Sequence, residues 1–223
     1  MKEVIAAGGF RVSAPCLPGH DGGFDELSRV TWEDWYEEVR KAYKALRKET
    51  ELVYCAGISL GALLCMKLAL DEGWGVRAMV LMATSLSLSR VATIGLNCVR
   101  YTPLRWFVHA FPKNLNKNIA DPEGRVVYGE LSQPMMPARA VYELADLQRE
   151  LKPNLSRITN PVLLIHGQGD LIAPPSNVDF IRKSIASDVV ETIILPRSRH
   201  VITMDYEKDR VALATLDFFK KFA

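Results

Sequence analysis

The spacing of apolar and polar positions changes several times along this chain, and each change marks an element. Residues 10–14 (FRVSA) alternate apolar with polar side chains and predict a short strand, followed by the turn-rich LPGHDGG at 17–23. Trp32, Trp35, Tyr36, Val39, Tyr43 and Leu46 then recur at steps of three and four, the spacing of an amphipathic helix running to about Lys48. Thr31 offers its N-cap and Asp34 an approximate capping box. Residues 51–56 (ELVYCA) form a β-rich run. LGALLCMKLAL, from Leu60 onward, is apolar on nearly every side, as suits a helix buried against a sheet. Another strand is expected at 76–83 (VRAMVLMA).

The rhythm restarts at 161–166 with PVLLIH, a continuous apolar run between Pro161 and Gly167. A helix is expected at 176–186, a strand at 189–195 (VVETIIL) and a closing helix at 204–222. Strands that alternate with helices and read as continuous apolar runs predict an α/β fold, a doubly wound and mostly parallel sheet covered on both faces. Residues 88–160 break the pattern with Pro103, Pro112, Pro122, Pro134 and Pro137, scattered aromatics, and one clear helix from about Pro137 to Leu151. A structureless connection of that length is uncommon, so 88–160 reads as a helical insertion, a lid, within one domain spanning 1–223.

Composition narrows the function classes. With 223 residues, 48% of them hydrophobic, and a formal net charge of +2, the chain can bury a sizeable core but carries no basic stripe for nucleic acid. No apolar stretch approaches the length of a membrane span, and MKEVIAAGGF does not read as a signal peptide. Cys16, Cys55, Cys65 and Cys98 form no CxxC pair and show no metal-ligand spacing with histidine. They read as reduced, mostly buried thiols of a cytoplasmic protein.

The chemistry centres on GISLG, a Gly-x-Ser-x-Gly at 57–61 between a predicted strand and a predicted helix. That context suits a nucleophile elbow: Ser59 on a sharp turn, glycines at 57 and 61 to avoid collision, and the Leu60 N–H at a helix N-terminus as an oxyanion donor. A serine hydroxyl needs a base, itself held by an acid. Of the four histidines, His20 lies in the LPGHDGG turn, His109 in the insertion, and His166 at the end of a core strand, where burial is its expected role. His200 follows strand 189–195 at a carboxyl end, where open α/β sheets place their sites. Asp170 follows the 161–166 strand; Asp188 and Asp205 compete as the acid, Asp205 being read as opening the closing helix.

GISLG, HGQGD, SRHVITMDYEKD and LPGHDGG together resemble the bacterial carboxylesterase branch of the α/β-hydrolase superfamily, which includes monoacylglycerol lipases. The resemblance runs through the whole chain and is weakest over 88–160, where these enzymes carry a variable lid. It implies hydrolysis of short- to medium-chain carboxylic esters through an acyl-enzyme, with a small-molecule ester as partner and no metal or organic cofactor. Carried over by position, it gives Ser59 as nucleophile, Asp170 as orienting acid and His200 as general base. Trp106, Phe107, Phe111, Met135 and Met136 are expected to line an acyl-chain pocket or to form the insertion's own small core. Arg100, Arg105, Lys113 and Lys117 read as a solvated face rather than a phosphate site.

Two departures from the family pattern stand out. Arg199 replaces the usual glycine before the histidine, which would narrow the site or bring a positive charge to the base. The family's earlier strands and its HG-type loop, source of the second oxyanion N–H, have no counterpart ahead of MKEVIAAGGFRV. The expectation is therefore a sheet lacking its N-terminal strands, or one rearranged so that FRVSA pairs beside 51–57. A monoacylglycerol lipase or lysophospholipase is the alternative within enzymes; an inactive fragment or pseudoenzyme is the alternative outside them.

Overall fold

The computed structural model describes residues 1–223. In chain order its elements are α1 (Lys2–Ala7), α2 (Phe24–Leu27), α3 (Trp32–Arg47), β1 (Val53–Ile58), α4 (Leu60–Glu72), β2 (Val76–Met82), α5 (Arg90–Tyr101), β3 (Ala110–Pro112), α6 (Leu115–Asn118), α7 (Pro122–Leu131), β4 (Met135–Pro137), α8 (Ala138–Leu151), β5 (Val162–Gly167), α9 (Ser176–Ser184), β6 (Val190–Leu195) and α10 (Lys208–Lys220). No helix is long and apolar enough to cross a membrane.

The main sheet has the order β1-β2-β5-β6, with every neighbouring pair parallel. Alternation along the strands sends side chains to two cores. Met79, Leu81 and Leu164 face a layer that includes α3, α4, α8 and α9; Ala78, Val80, Met82, Leu163 and Ile165 face α10. Central strands covered on both faces are apolar nearly throughout, which is why β2 beyond Arg77 and β5 as far as His166 read as unbroken apolar runs. The doubly wound α/β architecture expected from the sequence is therefore present.

The α3 prediction holds in detail. Thr31 Oγ1 accepts from the Asp34 N–H at 3.4 Å, and Asp34 Oδ2 accepts from the Thr31 N–H at 2.9 Å, a complete capping box. Trp35 is buried and its indole N–H donates to the Pro18 carbonyl at 3.0 Å, tying the LPGHDGG turn to the helix. The closing helix begins later than expected, at Lys208. Pro137 is the N-cap of α8 and the last residue of β4, one position before the helix proper.

Residues 10–14 are not a strand, which corrects both the strand assignment and the rearranged sheet. Phe10 is anchored instead through its ring, 5.4 Å from Tyr54 and 6.0 Å from Phe219 between centroids. Alternation suits any extended segment with one buried side; a strand also needs an adjacent ladder, and no main-chain hydrogen bond joins residues 9–15 to β1. β1 thus lies at a sheet edge, paired only with β2.

The 88–160 segment holds helices α5 to α8 and a two-stranded antiparallel pair, β3 with β4, in which Phe111 faces Met136. All four cysteines are free. Cys65 alone is buried and Cys16 and Cys98 are exposed, so the expectation of mostly buried thiols is corrected.

Candidate active site

Ser59 is the single residue between β1 and α4 and makes the whole strand-to-helix turn. Its backbone sits at φ 55°, ψ −111°, one of two non-glycine residues with positive φ. Holding an L-residue there costs about 1–3 kcal/mol, and such strain gathers where it serves a function. The turn is pinned by the Ser59 N–H, which donates to the Met82 carbonyl at 2.9 Å. Leu60 is the first residue of α4, so its N–H belongs to the N-terminal set with no acceptor inside the helix.

The two flanking glycines differ in what they do. A Cβ on Gly57 would lie 2.2 Å from the Gly61 carbonyl oxygen and 2.6 Å from the Ala62 nitrogen, a collision with main chain. A Cβ on Gly61 would meet nothing within 4 Å, which corrects the reading that sterics require both.

His200 lies in the loop after β6 and is buried. Its Nε2 is 3.0 Å from Ser59 Oγ and its Nδ1 is 2.7 Å from Asp170 Oδ2. Asp170 follows β5 and is 4% exposed. Its Oδ1 accepts from the N–H groups of Ile172 and Ala173, both at 2.9 Å, while Oδ2 faces His200 and, at 3.1 Å, His166 Nε2. Burial alone would raise this carboxyl's pKa, but hydrogen bonds and charge from His166 and His200 outweigh it and hold the pKa at about 2. With a carboxylate on Nδ1, the neutral imidazole carries its proton there and leaves Nε2 free to accept from Ser59. The structure therefore brings together the three side chains singled out in the sequence.

The competing acids lie elsewhere. Asp188 is exposed, ahead of the amino end of β6. Asp205 is fully buried but does not cap the closing helix. Its two oxygens accept from the N–H groups of Ala120, Asp121, Arg199 and Tyr206 at 2.8–2.9 Å. That carboxylate fastens the His200 loop to residues 118–121, helped by the Val201 N–H donating to the Asn118 carbonyl at 2.9 Å. The Arg199 guanidinium joins the same seam, donating to the Asn116 carbonyl. The arginine is thus engaged with the 88–160 segment.

Two neighbours were missed from sequence. His166, expected only to be buried, sits beside Asp170: its Nε2 donates to the Ala173 carbonyl at 2.9 Å and lies 3.1 Å from Asp170 Oδ2. Ser85, two residues beyond the strand assigned to 76–83, places Oγ 2.8 Å from Ser59 Oγ. Its one sequence signal is a hydroxyl just past the carboxyl end of a core strand.

Ser59, Leu60, Ser85 and His200 open onto a cavity of about 1480 Å³, walled largely by apolar side chains including Leu96, Val141 and Leu144. The cavity runs on along the free edge of β1, between it and residues 9–15. Phe111 and Met136 line it as expected; Trp106 and Phe107, 63% and 77% exposed, face solvent, and Met135 also lies outside it. Among the cations, Arg100 is paired with Asp146 at 2.7 Å and Arg105 lies over Trp106, whereas Lys113 and Lys117 are on the cavity wall rather than a wholly solvated face. Burial lowers the Lys113 pKa.

Comparison with known proteins agrees with this architecture. The Hydrolase_4 family (serine aminopeptidase, S33) matches residues 7–207. The chain is 27% identical to the thermostable monoacylglycerol lipase of Bacillus sp. (strain H-257), over 100% of this chain and 84% of that protein. It is 23% identical to a carboxylesterase of Bacillus subtilis (strain 168), over 96% of this chain and 82% of the other. Among solved structures, one from a study of the metagenome-derived lipolytic enzymes LipS and LipT superposes with a TM-score of 0.86 at 24% identity, covering 98% of this chain and 85% of that one. The monoacylglycerol lipase of Paleococcus ferrophilus superposes with a TM-score of 0.78 at 17% identity, covering 100% and 88%. The sequence match over residues 7–207, the parallel sheet and the serine at its strand-to-helix turn lead to one conclusion: the chain belongs to the Hydrolase_4 (serine aminopeptidase, S33) family of α/β hydrolases.

Proposed function

We propose that the chain is a serine carboxylesterase that hydrolyses short- to medium-chain carboxylic esters through an acyl-enzyme. The observation that carries this is the unbroken line from Ser59 Oγ to His200 Nε2 (3.0 Å) and from His200 Nδ1 to Asp170 Oδ2 (2.7 Å), opening on an apolar cavity. In this reading Ser59 attacks the ester carbonyl as His200 Nε2 takes its proton. The Leu60 N–H donates to the oxyanion. Collapse of the tetrahedral intermediate expels the alcohol, which receives that proton from His200. Water then repeats the sequence, with His200 as base, to release the acid and restore Ser59. Asp170 keeps the imidazole in the right tautomer and stabilises its charged form.

The cavity wall favours esters over peptides with a free amino terminus. Its only acidic side chain is Glu49, which is already paired with Arg11 and so is poorly suited to an ammonium group. A second reading, hydrolysis of monoacylglycerols, is favoured by the cavity's size and by similarity to a monoacylglycerol lipase over 84% of that protein.

The test combines a series of 4-nitrophenyl esters of increasing chain length, a monoglyceride, and a fluorophosphonate probe. Turnover that peaks at short or medium acyl chains, with stoichiometric labelling abolished in Ser59→Ala, is the expected result. A clear preference for the monoglyceride moves the assignment to the second reading. Folded protein that takes up no probe is not an enzyme of this kind.

A further inference from the structure

Ser59 shares its unusual backbone with one other non-glycine residue, Ala83, at φ 42°. The two follow the register pair Ile58 and Met82 at the ends of adjacent parallel strands. The Ala83 N–H is held by the Ile165 carbonyl at 2.8 Å. Beyond this bend, residues 84–87 are fixed by buried amide side chains from two helices. Gln148 of α8 donates to the Ser85 carbonyl, and Asn177 of α9 donates to the carbonyls of Thr84 (3.0 Å) and Ser87 (2.9 Å). A strained bend and three anchored carbonyls hold one short stretch, and the side chain it aims at the site is Ser85. That residue is 1% exposed, with Oγ 2.8 Å from Ser59 Oγ.

Counting protons decides the direction of this contact. Ser59 has one hydroxyl proton, and neutral His200 accepts it at Nε2. The proton between the two serines is therefore the one on Ser85. We propose that Ser85 is a further catalytic residue, whose hydroxyl donates to Ser59 Oγ and stabilises the negative charge that develops there. The proposal rests on the reading of Ser59 as nucleophile. Charge grows on Oγ twice: when His200 takes the proton during attack, and when Oγ leaves as the acyl-enzyme is hydrolysed. A hydrogen bond to an anionic oxygen is roughly twice as strong as one to a neutral hydroxyl, so the contact strengthens as the barrier is climbed. Ser85 keeps its own proton throughout; it passes nothing on.

Three variants test the role: Ser85→Ala, Ser85→Cys, a poorer donor of similar size, and Ser85→Thr, which keeps the hydroxyl. The readouts are the second-order rate of fluorophosphonate labelling, the deacylation rate in single turnover, and the melting temperature. Ser85→Ala is expected to slow both rates about 10–100-fold, less than the roughly 10²–10³-fold cost of losing an oxyanion-hole donor, with little change in melting temperature. Ser85→Cys should fall between it and the parent, and Ser85→Thr should recover most of the rate. Both rates within twofold of the parent in Ser85→Ala and Ser85→Cys would overturn the proposal. Labelling that persists in Ser59→Ala is a different failure, because it removes the nucleophile reading beneath it.

Discussion

Gly57 and Gly61 flank the same serine, yet only Gly57 is closed in, with the Gly61 carbonyl oxygen 2.2 Å from where its Cβ would stand. Gly57→Ala therefore forces β1 and α4 apart, at about 1–3 kcal/mol by the usual scale of overpacking, and moves Ser59 away from His200. Gly61→Ala adds a methyl in open space at a helical position and is expected to gain about 0.5–1 kcal/mol. Chemical denaturation of the two variants should show shifts of opposite sign.

Strain at Ser59 makes a second expectation. Ser59→Ala and Ser59→Gly both lose the hydroxyl, but only glycine accepts φ 55° without penalty. The glycine variant should be the more stable by about 1 kcal/mol or more, while both are inactive. Equal melting temperatures would mean that the turn relaxes when the hydroxyl is gone.

Asp170 sets an acid limb. Its folded pKa of about 2 lies below the ordinary carboxylate value, so its contribution is fully present above about pH 4 and is lost as pH falls through about 2. The shift corresponds to about 2 kcal/mol. Unfolding free energy measured from pH 6 downward should show this loss in the parent and a shallower slope in Asp170→Asn. The same variant should lose about 10³–10⁴-fold in kcat, because an amide at Nδ1 no longer fixes the tautomer.

Asp205 never touches the imidazole, yet four main-chain donors converge on it. Asp205→Asn removes the charge and turns an NH2 group toward N–H groups. The expected loss is about 2–4 kcal/mol, with a fall in kcat as the His200 loop loosens. Thermal melts and ester kinetics on one preparation check both.

Where periodicity and end signals agreed, the sequence was legible to within a few residues: α3 with its Thr31–Asp34 box, the apolar strands β2 and β5, and α4 behind Ser59. Ser59, Asp170 and His200 could be found because each follows a strand of the parallel sheet at its carboxyl end. FRVSA misled because alternation records one-sided burial and says nothing of a neighbouring strand. Trp106 and Phe107 misled because a hydrophobic side chain in an irregular segment has no period to orient it. Asp205 and Ser85 act through contacts that span 85 and 26 residues, and only the folded arrangement of loops reveals such pairs.

The seam between the His200 loop and residues 116–121 governs motion as well as position. Its bonds run from Asn116, Asn118, Ala120 and Asp121 to residues on either side of the imidazole. Any swing of the 88–160 segment that carried this stretch outward would drag His200 off Ser59 and disarm the site as it opened. A gate that admits substrate without disarming the chemistry has to leave that footing in place, as movement confined to residues 90–112 would. There Val91, Ile94, Trp106 and Phe107 already stand in solvent, and the packing to be broken is that of Leu96, Val99 and the Arg100–Asp146 pair.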